Sequence, residues 1–95
     1  MNEAEREAFV CVVTSASGPV RIGVAGDPRK RLRELQVGSP VKLELALAQP
    51  YPSRLDAEAV VAALERQFAD RRAHGSWYRI SAADVRSALA NRPCR

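Results

Sequence analysis

Apolar and polar positions alternate along much of the first half of this chain, and the alternation predicts strands. The run Ala8 to Thr14, AFVCVVT, is continuously apolar and rich in β-branched residues, as expected of a buried strand. Val20, Ile22 and Val24 alternate with Arg21 and Gly23. This is the period of a half-buried strand whose second face carries one cation and one residue without a side chain. Between the two runs, Ser15-Ala16-Ser17-Gly18-Pro19 is a loop of turn formers short enough to join them as an antiparallel hairpin. Val41 to Gln49 sets Val41, Leu43, Leu45 and Leu47 against Lys42, Glu44, Ala46 and Ala48, a third strand that Pro50-Tyr51-Pro52 ends.

Elsewhere the period lengthens to that of a helix. Asp27-Pro28 starts one, with Asp as N-cap and Pro at the first helical position; Leu32 and Leu35 face inward, and Gly38-Ser39-Pro40 ends it. Ser53 to Ala73 is the longest helical stretch. Ser53 and Asp56 resemble a capping box, and Leu55, Ala57, Val60, Val61, Leu64 and Phe68 form an apolar stripe. Gly75 stops it, Trp77 to Ile80 is extended, and Ser81 with Asp84 caps a last helix from Ala82 to Ala90 that buries Val85, Ala88 and Leu89. Met1 to Glu7 reads as a polar lead-in. The order is ββαβαα: an α+β domain in which helices flank a small three-stranded antiparallel sheet.

Composition sets the limits. A chain of 95 residues holds one domain, here 1–95 with its core at 8–91, and buries roughly two thirds of its unfolded surface. The polar start has no signal-peptide core and no run reaches the ~18 apolar residues of a bilayer span, so a cytoplasmic protein is expected. Cys11, Cys94 and a single His offer neither a zinc spacing nor a disulfide framework. The formal charge of +4 favours a polyanionic partner, with DNA first. Most of the local positive charge lies in Arg29, Lys30, Arg31 and Arg33, beside Arg21 and the bare Gly23. Together they form an anion-attracting corner for phosphate; the competing reading is a solvated arginine-rich helix face. Cys11 reads as a small core residue, His74 as a solvated cation at a helix end, and Trp77 as core, with base stacking as its alternative.

Arg21-Ile22-Gly23, Pro28, Arg31-Leu32 and Leu35-Gln36-Val37-Gly38-Ser39-Pro40 follow one another as in the second motif of the GIY-YIG endonuclease superfamily, in the branch that has a basic residue before Ile-Gly. Phe68, Arg72, Gly75, Trp77 and Tyr78 fall at matching places downstream, so the resemblance covers Phe9 to Ile80. It implies the same ββαβαα fold and metal-assisted phosphodiester hydrolysis on DNA, with Mg²⁺ or Mn²⁺ as cofactor and Arg31, helped by Arg21, on the phosphate. DNA contacts would come from Arg21, Arg29, Lys30, Arg31 and Arg33.

The departures from that pattern lie in the metal site. Val61 stands at the family's metal-binding Glu, Glu65 at its His, Ser76 before Trp77, and Cys11 nearest the first motif's Tyr. Loss of one helical turn would bring Glu65 into the metal position, with Glu58 on the same flank. The ordinary reading of Glu58 and Glu65 is surface ion pairing. Two functional expectations follow: an endonuclease with Arg31, Arg21 and Glu65 as its catalytic residues and Glu65 on the metal, or an inactive nucleic-acid-binding or protein-interaction module on the same fold.

Overall fold

The computed structural model describes residues 6–91; the start of the expected lead-in and Cys94 lie outside the described residues. Strand β1 (Ala8–Ser15) and strand β2 (Val20–Ala25) form the expected antiparallel hairpin, with Val12 opposite Ile22 and Cys11 opposite Gly23. Gly18 turns the loop between them at φ +115, a conformation that favours glycine. Helix α1 (Pro28–Val37) follows, its N-cap Asp27 accepting the backbone N–H of Lys30 at 3.1 Å. Strand β3 (Leu43–Tyr51) pairs with the far side of β1. Helix α2 (Arg54–Gln67) is capped by Ser53, and helix α3 (Ala82–Ala90) by a full capping box of Ser81 and Asp84.

The sheet has five strands and not the three expected. The segment expected to finish the long helix leaves it at Phe68, makes a 3-10 turn over Ala69–Arg71 and becomes strand β4 (Arg72–His74). β4 returns through Gly75-Ser76 into strand β5 (Trp77–Tyr78). Gly75, at φ +54, takes the first central position of this two-residue loop, where type II′ hairpins place glycine. It turns a hairpin; it does not stop a helix. The strand order is β3-β1-β2-β5-β4, antiparallel throughout, and the whole is a small α+β fold with three helices.

Two further expectations change. β3 runs through Pro50, which the sheet tolerates because β3 is an edge strand and needs no second ladder there. A bulge between Val12 and Val13 breaks the β3 alternation: Leu47 pairs with Val12 and packs on the main core, whereas Leu45 pairs with Val13 on the opposite face. Leu55, assigned to the apolar stripe, is 62% exposed.

Side chains alternate across the sheet and divide it into two faces. Ala8, Val10, Val12, Val20, Ile22 and Tyr78 join Ala57, Val60, Val61 and Leu64 of α2 and Val85 and Ala88 of α3 in one continuous core. The other face carries Cys11, Val13, Arg21, Gly23 and Trp77, the partners of one another across the ladders. Helix α1 sits beside that second face, anchored to the start of β3. Gln36 Nε2 donates to the carbonyl of Val41 at 2.9 Å while its Oε1 accepts the N–H of Leu43 at 2.8 Å. Ser39 Oγ adds a bond to the same carbonyl at 2.9 Å.

Candidate nucleic-acid interface

Arg21 is the residue around which the second face is arranged. β2 alternation points it away from the core, and its neighbour two positions on is Gly23. A side chain at position 23 would begin only 2.7 Å from Arg21 Nη1, so the space that the missing Cβ leaves is filled by the guanidinium of Arg21 itself. The bare spot seen in the sequence is a seat for an internal cation. Burial, followed by the positive charge of Arg31, pulls the guanidinium of Arg21 below its ordinary pKa; the thiol of Cys11 acts in the opposite sense. Cys11, the partner of Gly23 in the ladder, is buried, and its pKa is raised by burial with Arg21 opposing.

Arg31 stands on α1, near enough for its charge to act on Arg21. Its Nη1 lies 3.4 Å from Glu34 Oε1 one turn along the helix, with about half of each side chain exposed. Lys30, Arg31 and Glu34 line an open polar pocket of about 380 Å³ with Asp27, the β2 end Val24–Gly26, and Arg54. Arg54, the first residue of α2, does not stand out in the sequence. Its side chain is 31% exposed and pairs with Glu58 at 3.7 Å. No periodicity signals it, because only the fold carries the start of α2 to the end of β2. Of the cations expected to bind DNA, Lys30 and Arg31 line this pocket, and Arg21 lies outside its lining but within reach of the charge of Arg31. Arg29 and Arg33 are exposed on α1 and do not line this pocket.

Glu65 stands elsewhere. It is half-buried on α2, where its charge, after burial itself, helps to raise the pKa of Tyr78, with Arg72 opposing. Tyr78 and Arg72 are ladder partners on the core face of the sheet, whereas Arg21 and Trp77 are partners on the other. Glu65 and the Arg21–Arg31 pair therefore address opposite sides. Glu58, the other carboxylate considered for a metal, is engaged by Arg54. Among the described residues no three His, Cys, Asp or Glu side chains gather where they could hold a metal ion. A divalent ion on Glu65 would find fewer than three such ligands among the described residues and would lie across the sheet from Arg21; that donor set does not fit an ion shared with a phosphate on Arg21 and Arg31.

The site thus combines a half-buried guanidinium, Arg21, within reach of the charge of Arg31, and a polar pocket lined by Lys30, Arg31 and Arg54. Over residues 8–91 the chain matches the model of the T5orf172 domain, and it belongs to that family. This is a distinct family, so the assignment to the GIY-YIG superfamily is corrected. Residues that carried that resemblance have local structural duties: Pro28 opens α1, and Gln36 and Ser39 fasten α1 to β3. The T5orf172 family is nuclease-like and compatible with a nucleic-acid-related function. No curated protein and no solved structure matches the chain. No helix among the described residues is long and apolar enough to cross a membrane.

Proposed function

We propose that this domain binds a nucleic-acid strand through its phosphates, with Arg21 and Arg31 as the paired donors and Lys30 and Arg54 at the rim. The observation that carries the reading is the guanidinium of Arg21 held over Gly23 beside the charge of Arg31. Two like charges kept close and partly dehydrated repel each other, and an anion shared between them relieves the repulsion. Arginine suits this role because its planar fork gives a phosphate two parallel hydrogen bonds and stays charged even when its pKa falls. The net charge of +4 adds a weaker long-range attraction that salt screens.

Fluorescence polarisation with labelled DNA tests the reading. Affinity is expected to fall steeply with salt, and Arg21→Ala or Arg31→Ala to cost about ten-fold or more. Arg29→Ala and Arg33→Ala should cost only the few-fold expected of solvated charges. Wild-type affinity in Arg21→Ala and Arg31→Ala would contradict the proposal. Cleavage is the finer reading of the same partner, and a plasmid incubated with Mg²⁺, Mn²⁺ or EDTA separates it from binding. With Glu65 across the sheet from the arginines, the binding reading expects the plasmid to stay intact. Nicking abolished by EDTA and by Glu65→Ala would make the domain a metal-dependent nuclease.

A further inference from the structure

Beside the arginine pair lies a second cavity, of about 640 Å³, which the phosphate reading does not use. Its walls are mostly apolar: Pro19 from the hairpin loop, Leu35 of α1, Pro40, Val41 and Leu43, with Trp77 and His74 along the sheet. This volume falls within the ~300–1,000 Å³ range of clefts that take small molecules. Trp77 is half-buried, stands on the sheet face opposite the main core and is not part of that core. Its place in the ladder is directly opposite Arg21, and His74 is its partner on the other side. His74, Trp77 and Arg21 thus form one row across the second face. Glu34, which pairs with Arg31, borders both this cavity and the basic pocket, so the two are neighbours that share a wall.

Cations set next to an aromatic-walled cleft are an arrangement that suits a nucleotide with its base turned out. Phosphate goes to the arginines and the base face to the indole. Resting on the phosphate reading above, we infer that the cleft receives an unpaired base of the bound strand, stacked on Trp77, so that the preferred partner is single-stranded nucleic acid. A base held in a duplex presents only its edges and leaves the indole untouched, and turning it out costs pairing and stacking energy. Stacking needs no particular base, so the preference is for strandedness and not for sequence.

Trp77 is the only tryptophan, so its emission reports the cleft directly. The wild-type protein is titrated with a short oligothymidylate, with an abasic strand of equal length and with a duplex. Oligothymidylate is expected to quench the emission and to bind more tightly than the abasic strand, which binds without quenching, as does the duplex. Trp77→Leu should weaken oligothymidylate binding about five- to hundred-fold and leave the abasic strand unchanged, and Trp77→Phe should restore most of the loss. Equal binding of oligothymidylate and the abasic strand with unchanged emission overturns the base cleft and leaves the phosphate reading standing. Failure of both strands to bind overturns both. The wild-type comparison decides the matter even if Trp77→Leu does not fold.

Discussion

At the scale of single residues, the space over Gly23 is occupied by the guanidinium of Arg21. The alternation of β2 makes it legible in the sequence that Arg21 and Gly23 share the face opposite Val20, Ile22 and Val24. It leaves open what fills the gap, because a side chain's path depends on neighbours that only the folded sheet supplies. The gap is filled by the guanidinium of Arg21, and that gives a direct test. In Gly23→Ala the new Cβ meets Arg21 Nη1 at 2.7 Å. The contact is with the tip of a flexible side chain, so the arginine moves and the backbone does not. Stability should stay within about 0.5 kcal/mol of wild type, the range of ordinary surface substitutions, while DNA affinity falls several-fold. Thermal unfolding and polarisation measured on the same sample check this; unchanged affinity would mean that the seat over Gly23 is not where the anion is held. Arg54 marks the limit of reading residues singly, since its contribution comes from where α2 begins.

At the scale of elements, the hairpin, α1, the beginning of α2 and α3 were legible because each is bounded by residues with strong local preferences: Gly18, Asp27-Pro28, Ser53, Ser81 and Asp84. β4 and β5 were not. They are three and two residues long, too short for a period of two to be recognised, and the helical pattern before them runs on to Ala73. The dipeptide Gly75-Ser76 was the available signal, since a two-residue loop of this kind between His74 and Trp77 favours a hairpin. The bulge opposite β3 hid the second error: Leu45 and Leu47 look equivalent in an alternating string and lie on opposite faces once Ala46 takes the extra position.

The cap of α3 provides the test at this scale. Asp84 accepts the backbone N–H of Ser81 at 2.9 Å, and this bond, followed by the side chain of Ser81, holds its carboxyl below the ordinary carboxylate range. The folded pKa is therefore lower than the unfolded one. Its stabilisation is present above the unfolded pKa and is lost as the pH falls through the folded value. Asp84→Asn should be less stable than wild type at neutral pH, with the gap closing below about pH 4, where the unfolded carboxyl takes up its proton. Denaturant unfolding across that window measures it, and a gap that persists unchanged into acid would contradict the account.

At the scale of the whole molecule, the two faces of the sheet are differently covered. One face buries the core under α2 and α3; the other carries Arg21 and Trp77 beside α1. A basic balance of 15 Lys and Arg against 11 Asp and Glu pointed to a polyanion, but could not say which cations would meet. Position decides that, and it divides the expected set. Lys30 and Arg31 share a pocket, Arg21 stands on the neighbouring sheet face within reach of the charge of Arg31, Arg29 and Arg33 stay in solvent, and Glu65 goes to the core face. The local motif around α1 was legible, while its family was not, because the residues of that motif serve capping and fastening as much as chemistry.

If Arg21 and Arg31 share one anion, as proposed, a double-mutant cycle on DNA affinity will show it. Arg21→Ala, Arg31→Ala and the double variant are measured in one buffer, with unfolding curves confirming that each is folded. If both guanidinium groups hold the same phosphate, removing either abolishes the shared grip, and the double variant loses little more than the weaker single one. Losses that add, or single variants that bind as wild type does, would show that the two arginines act apart and that the Arg21–Arg31 site does not hold the strand.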